Sequence, residues 1–368
     1  MNNHTTKQRL HYLDAMRSIL MILGILLHSA NVFSDSDWAI KNINTSEYFT
    51  YLIDTIHIFR MPAFFIVSGF FCHMTLKKNG PIKFINIRLP RIIIPFLVTA
   101  VTLNTLQNYI LINSNLTDID ITDIRYWLSG SWVSHLWFLN TLIYYFIFSA
   151  LFYYLTPNLL NNIKKITNNI INHTNGYYLF IIPIVSMGLL KISYIFPNVS
   201  EQYYDAAIAD SIKYSIYFVF GIILGTNKNL LSEFVRPKKA IILLCMLIIT
   251  IFHYWEFDSA LINKLLSSYK TALIIWLSCV LCFYIFNSLF NKKSILFTYL
   301  AGASYTIYLF HHIFVILIGI LIIQTEINIV FKFILLVSMT FIITNLIHYY
   351  LISKYSILSR IFNGKSLN

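Results

Sequence analysis

Arg17 and His28 stand with ten residues between them in one apolar run, RSILMILGILLH, a setting in which lipid penalises both side chains. On an α-helix rising 1.5 Å per residue, the histidine lies roughly 16 Å beyond the arginine on the same face, and Asp14, Gly24 and Asn31 share that stripe. Each residue alone has an ordinary explanation: an arginine near a helix end snorkels to the headgroups, and a buried histidine packs against a neighbour. Together on one stripe they point to chemistry, with the imidazole as a proton acceptor near neutral pH and the guanidinium as a fixed cation.

A second stripe occupies YLIDTIHIFRMPAFFIVSGFF, where Asp54, His57, Arg60 and Ser68 fall on one side of the helix. An arginine at the depth of Arg60 costs roughly 2.5–3.5 kcal/mol on insertion scales, so it must face a partner or a wet cavity. An ion pair with Asp54 or Asp14 would satisfy it structurally, whereas its titratable company favours a functional role. His135 opens another apolar segment in HLWFL, beside Trp137, whose ring suits a membrane interface. His311 and His312 sit mid-segment in SYTIYLFHH. Adjacent helical residues point about 100° apart, so one of the two is expected to face a polar interior and the other to be packed or hydrogen-bonded. Arg88 and Arg91, in RLPR, project from nearly one face and offer two planar forks of donors suited to phosphate, or a plain positive anchor at a membrane edge.

The elements that must position these groups follow from composition. The chain is 57% hydrophobic and only 11% charged, with a mean hydropathy of +0.67, against about a quarter charged in a soluble domain. The expected fold is an all-α, polytopic integral membrane bundle of about ten transmembrane helices, at roughly 13–33, 50–73, 88–112, 136–156, 177–196, 211–226, 239–255, 267–290, 296–323 and 328–351. The connections alternate in charge. Asp35, Asp37 and Glu47 face Lys77, Lys78, Lys83, Arg88 and Arg91, and the alternation continues through Glu201 and Asp205, Lys238 and Lys239, and Glu256 and Asp258 to Lys292 and Lys293. By the positive-inside rule both termini are cytoplasmic, and Lys7 and Arg9 ahead of the first span read as the flank of an uncleaved helix. No connection is long enough for a second domain, so residues 1–368 are expected to be one transmembrane domain, with outward loops near 113–135 and 197–210 placed to cover an external cavity. Gly221-x-x-x-Gly225 permits close helix packing in the sixth span.

The net charge of +12 is the cytoplasmic lysine and arginine excess rather than a nucleic-acid footprint, because no basic patch is interleaved with aromatics. Cys72, Cys245, Cys279 and Cys282 all lie in apolar runs, and Cys279-Val-Leu-Cys282 has no histidine or carboxylate beside it, so no metal site is expected. A histidine roughly 16 Å from an arginine, with further arginines at the cytoplasmic mouth, suits a long ligand that enters phosphate-first. Coenzyme A has that shape: phosphates on the arginines, an acyl thioester near His28, and the histidine taking the proton of an attacking hydroxyl while an arginine stabilises the oxyanion.

The stretches RLHYLDAMRSILMILGILLH, FRMPAFFIVSGFF, RLPRIIIPF, HLWFL and SYTIYLFHH resemble, in order and over nearly the whole chain, the signatures of the acyltransferase 3 family of membrane acyltransferases, which modify extracytoplasmic carbohydrates. Within the family the similarity is to members that place succinyl residues on osmoregulated periplasmic glucans. It rests on YLDAMRSILMILGILLHSANVFS, on Asp54, His57 and Arg60 with Phe64, Phe65, Ser68 and Gly69, and on the lack of an appended esterase-like domain. The run HHIF departs from glucan-type relatives, which often have proline after the paired histidines. The resemblance implies that Arg17 and His28 are the essential pair, that Arg88 and Arg91, with Arg17, hold the acyl donor, that Arg60 belongs to the active cavity, and that His135 takes part. It implies succinyl-CoA or acetyl-CoA as co-substrate with no permanently bound cofactor, a carbohydrate acceptor, no nucleic acid, and a multi-pass place in the bilayer of a bacterial inner membrane. Two alternatives stand beside it: O-acetylation of lipopolysaccharide or another surface polysaccharide, and a proton-coupled carrier in which His28, His57 and Arg60 relay protons or bind an anion.

Overall fold

The computed structural model describes residues 10–174, 176–193, 203–254 and 259–365. Lys7 and Arg9, most of the connection holding Glu201, and Glu256 with Asp258 lie outside the described residues. Within them every regular element is helical. The first three are α1 (His11–Asn31), α2 (Glu47–Asn79) and α3 (Pro81–Arg88). Pro90, which has no N–H to donate, begins α4 (Pro90–Thr99) after a break at Leu89. A π-turn, Ala100–Asn104, joins α4 to α5 (Thr105–Asn113). The chain continues through α6 (Ile124–Leu128), α7 (Trp137–Leu155), α8 (Leu159–Thr174), α9 (Tyr178–Ser193), α10 (Tyr203–Thr226), α11 (Lys228–Val235) and α12 (Lys239–Tyr254). It ends in α13 (Ala260–Phe290), α14 (Ile295–Ile323), α15 (Ile329–Ile347) and, after a second π-turn at His348–Ile352, α16 (Ser356–Asn363).

Eight stretches of the described residues are long and apolar enough to cross a membrane by length and composition. The segments at Tyr178–Ser193 and Lys239–Tyr254 are apolar helices with 16 described residues each, and both end where the described residues end. Leu97, Phe148, Leu247, Leu321 and Ile342 are exposed on the bundle surface. Exposed apolar side chains of this kind belong against lipid tails, as expected of a membrane protein.

α1 is the axis of the site, packed against α2, α13, α14 and α15. α2 and α10 cross at backbone contact: a Cβ on Gly221 would stand 2.0 Å from the carbonyl oxygen of Ile66, and one on Gly69 2.0 Å from that of Phe218. Side-chain-free crossings let two helices approach where lipid offers no hydrophobic drive. Gly221→Ala should therefore force the pair apart and cost about 1–3 kcal/mol or more. Gly188→Ala, whose Cβ would meet nothing within 4 Å, should leave the thermal unfolding midpoint in detergent unchanged. Equal midpoints for the two variants would contradict the crossing.

Where α1 ends, the chain folds back as a short loop over the bundle before α2. Asn42 N donates to Val32 O (2.8 Å) and Ser46 N to Phe33 O (3.0 Å). The buried Lys332 of α15 donates Nζ to Asn42 Oδ1 at 3.0 Å and to Ile323 O at 3.3 Å. Gly319 makes room for Ile40, whose Cδ1 lies 2.3 Å from where a Cβ would be. This loop carries Trp38 onto the end of α1.

Candidate active site

Four imidazoles meet at the loop-covered end of α1. His28 lies 5.2 Å, ring centroid to centroid, from His311 and 4.7 Å from His312. His135 stacks on His312 at 4.4 Å and meets His311 edge-on at 5.4 Å. Both neighbouring histidines of α14 therefore face the chamber, not one. Their directions differ, but α1 and the His135 turn flank α14 together, and each ring reaches the same space from its own side. α14 runs unbroken through the pair.

The tautomers are set by neighbours. His311 Nδ1–H donates to Tyr308 O, a carbonyl that can only accept, which leaves Nε2 as an acceptor. His312 Nδ1 bonds Gln107 Oε1 at 2.6 Å. His28 Nδ1, both ring nitrogens of His135 and His311 Nε2 are enclosed with no hydrogen-bond partner. Buried polar atoms left unmatched cost about 1–3 kcal/mol each, and four of them gathered in one cluster make it a candidate site for polar groups.

Arg60 is buried, 8% exposed, and donates Nε to Leu20 O at 3.0 Å. No carboxylate pairs with it among the described residues, so the ion pair with Asp54 or Asp14 is not formed. A Cβ on Gly24 would come within 2.8 Å of Arg60 Nη2 and 3.3 Å of His311 Nε2. The absent side chain of Gly24, one helical turn before His28, thus leaves the nook in which guanidinium and imidazole converge.

His135 is aimed inward by a strained turn. Ser134, immediately before it, has φ 47° and ψ −130°, a left-handed backbone that costs a non-glycine residue about 1–3 kcal/mol. Asn104, at the end of the π-turn, holds that segment by donating Nδ2 to Trp132 O (2.9 Å) and Val133 O (3.0 Å), and Tyr308 OH donates to His135 O at 2.6 Å. Trp38 covers the cluster from the loop side, its ring 5.9 Å from His28 and 5.5 Å from His312.

A second chamber, a cavity of about 190 Å³, lies toward the start of α1. Arg17, Arg88 and Arg91 line it, with Ser68, and no carboxylate is among its described lining residues. Arg17 Nη2 donates to Ala301 O at 3.3 Å and Arg17 Cζ lies 5.6 Å from the Phe71 ring centre, while Arg88 Nη2 donates to Thr75 Oγ1 at 2.7 Å. Phe64 and Phe138 also line this cavity. Phe138 edges onto Tyr308 at 4.7 Å, so an aromatic wall stands between the two chambers.

The structure splits the residues that the helical stripes grouped. Arg60 joins the histidine chamber and Ser68 the cation-lined cavity, whereas Asp54 and His57 are exposed on the outer turns of α2. Asp14 is half-buried in the first turn of α1. Trp137 packs against Phe65 and Tyr214, at 6.4 and 5.6 Å, rather than standing free as an interfacial ring. Asn104, Gln107 and Trp38 were missed. The available signal was amide side chains inside an apolar span, VTLNTLQNYI, where polar residues are expensive and need partners.

Comparison with known proteins places the chain in a family. No solved structure matches the chain. It is 26% identical over 332 residues, 84% of its own length and 83% of theirs, to glucans biosynthesis protein C of Escherichia coli strain K12 and of strain O9:H4 (HS). A sequence profile of the acyltransferase domain matches residues 10–349, which takes in every residue of the histidine cluster and the lining of the arginine-lined cavity except Asn363 and Lys365. With that match across most of its length, the chain belongs to the acyltransferase 3 family and is a membrane O-acyltransferase.

Proposed function

We propose that the protein moves an acyl group, preferentially succinyl, from cytosolic acyl-CoA to a hydroxyl of a periplasmic carbohydrate, preferentially an osmoregulated periplasmic glucan. The observation that carries this reading is the pairing of two chambers along α1: a cavity lined by Arg17, Arg88 and Arg91, and beyond it four imidazoles with a buried arginine. In this reading both short apolar helices also cross, giving ten spans with both termini cytoplasmic in a bacterial inner membrane. Residues 1–368 work as one domain, and the arginine-lined cavity opens to the cytosol.

The chemistry follows from the placement. Phosphates of the donor rest on the arginines, and the thioester reaches past Phe64 and Phe138 toward Gly24. An acceptor hydroxyl comes from the Trp38 side. His28 takes its proton as the oxygen attacks the thioester carbon, and the carbonyl electrons move onto an oxygen held by Arg60. Collapse re-forms the carbonyl, breaks the carbon–sulfur bond and expels the coenzyme A thiolate, which receives the proton from His28. The products are a sugar ester and coenzyme A.

The test is mass spectrometry of the periplasmic glucan and lipopolysaccharide fractions from cells that lack related transferases and express either this chain or its His28→Ala variant. Succinyl on glucan that disappears in the variant is the expected outcome. Acetyl on lipopolysaccharide would keep the mechanism and replace donor and acceptor; neither fraction changing would remove the reading.

Trp38 supplies a further prediction. Its ring is half-buried over His28, and an aromatic face in that place is an apolar platform for the C–H face of a sugar and a shield against water. Trp38→Ala should raise the acceptor KM about tenfold and increase donor hydrolysis without acceptor, while Trp38→Phe retains most coupling. Unchanged acceptor KM and hydrolysis in the alanine variant would dismiss that role.

A further inference from the structure

The rim of the arginine-lined cavity holds a fourth cation, Lys365, from the segment that follows α16. Its position is built rather than incidental. Phe362 packs on Phe310 at 4.9 Å, and Asn363 Oδ1 accepts from Thr306 Oγ1 at 3.0 Å. Gly364 then turns the chain with φ 59°, its N–H donating to Arg360 O at 3.1 Å. A Cβ there would lie 2.3 Å from Arg91 Cα. The segment therefore rests on the Arg91 backbone at a spot only glycine allows. Lys365 N donates to Ser359 O at 3.3 Å. The Lys365 ammonium is held below the ordinary lysine range, first by partial desolvation against the cavity wall and then by the positive charges of Arg17, Arg91 and Arg88.

Four cations from four separate elements thus share one small cavity, and they stand in two tiers. Arg17 and Arg88 are half-buried inside, whereas Arg91 and Lys365 are exposed at the rim. A volume of about 190 Å³ is below the roughly 300–1,000 Å³ of a site that engulfs a drug-sized ligand. It can take a slender arm but not a nucleotide, so the nucleotide end of the donor must lie at the rim.

We infer that Lys365, paired with Arg91, seats the 3′-phosphate of the donor's nucleotide, while Arg17 and Arg88 take its diphosphate. This rests on the donor reading above and adds a residue and a division of labour to it. Each phosphate then meets its own pair of cations, with the arginine of each pair giving a fork and the lysine a point charge.

Calorimetric titration of the full-length protein in zwitterionic nanodiscs, with coenzyme A and with 3′-dephospho-coenzyme A, separates the tiers. Lys365→Ala should weaken coenzyme A about tenfold and leave the dephospho form unchanged, and Lys365→Arg should restore it. Gly364→Ala, which lifts the segment off Arg91, should give the same ligand-selective loss. Arg88→Ala should weaken both ligands. An equal effect of Lys365→Ala on the two ligands, or none on either, overturns the assignment while leaving the donor reading intact if Arg88→Ala still weakens both. If the wild-type protein binds neither ligand, the donor reading itself fails. Anionic phosphatidylglycerol in the disc should not compete. Loss of coenzyme A binding in its presence, dependent on Lys365, would show a lipid headgroup in the seat and overturn the proposal.

Discussion

His28→Ala is expected to lower the rate of acyl transfer by about 10²–10⁴-fold while coenzyme A still binds, because general-base assistance is removed and the arginine-lined cavity is untouched. The imidazole sits among three others, so the loss need not be total: His311 Nε2 is an unpartnered acceptor 5.2 Å away by ring centroid. The decisive comparison is kcat against donor Kd, measured by single-turnover transfer and by titration on the same preparation. A fall in kcat at constant Kd assigns His28 to the chemical step. A parallel rise in Kd would make it a binding residue, and normal kcat would remove it from the mechanism.

Arg60→Gln should reduce kcat by about 10²–10³-fold, the range for losing one donor to a developing oxyanion. Its effect on stability is what distinguishes this residue from a structural arginine. A buried guanidinium bonded to a backbone carbonyl and unpaired with any described carboxylate is a poor stabiliser, and replacing it with a neutral side chain should leave the unfolding midpoint unchanged or higher. Activity lost with stability kept is the expected signature; stability lost in proportion would mean Arg60 is there to hold helices together. Gly24→Ala tests the same nook from the other side, since the added methyl would come within 2.8 Å of Arg60 Nη2. That side chain end is flexible and can move away, so the fold should persist while kcat falls about tenfold, a displacement of the donor rather than its removal.

These two experiments bear on residues that were legible in the linear chain. A charge or imidazole inside an apolar run is conspicuous because lipid makes it expensive, and helix geometry converts spacing into a shared face. Arg17 with His28, Arg88 with Arg91, Arg60, His135 and the HH pair were visible for that reason, as were the all-helical membrane class and the family. The same arithmetic also misgrouped residues. Asp54 and His57 share an arc with Arg60 but stand on exposed outer turns, because a helical wheel gives a direction about one axis and not the depth at which a neighbour covers it.

Composition, spacing and motif order alone determined the class of the molecule, the family and most of the candidate site residues. Tertiary packing decided which of them meet. Lys332 reaches Asn42 across 290 positions of sequence to fix the loop that brings Trp38 over His28. Gln107 orients His312 across 205, and the segment after α16 returns to Arg91 to add Lys365. Contacts so distant along the chain leave no local periodicity, since each depends on where two separately formed helices or loops come to lie rather than on the residues flanking either partner.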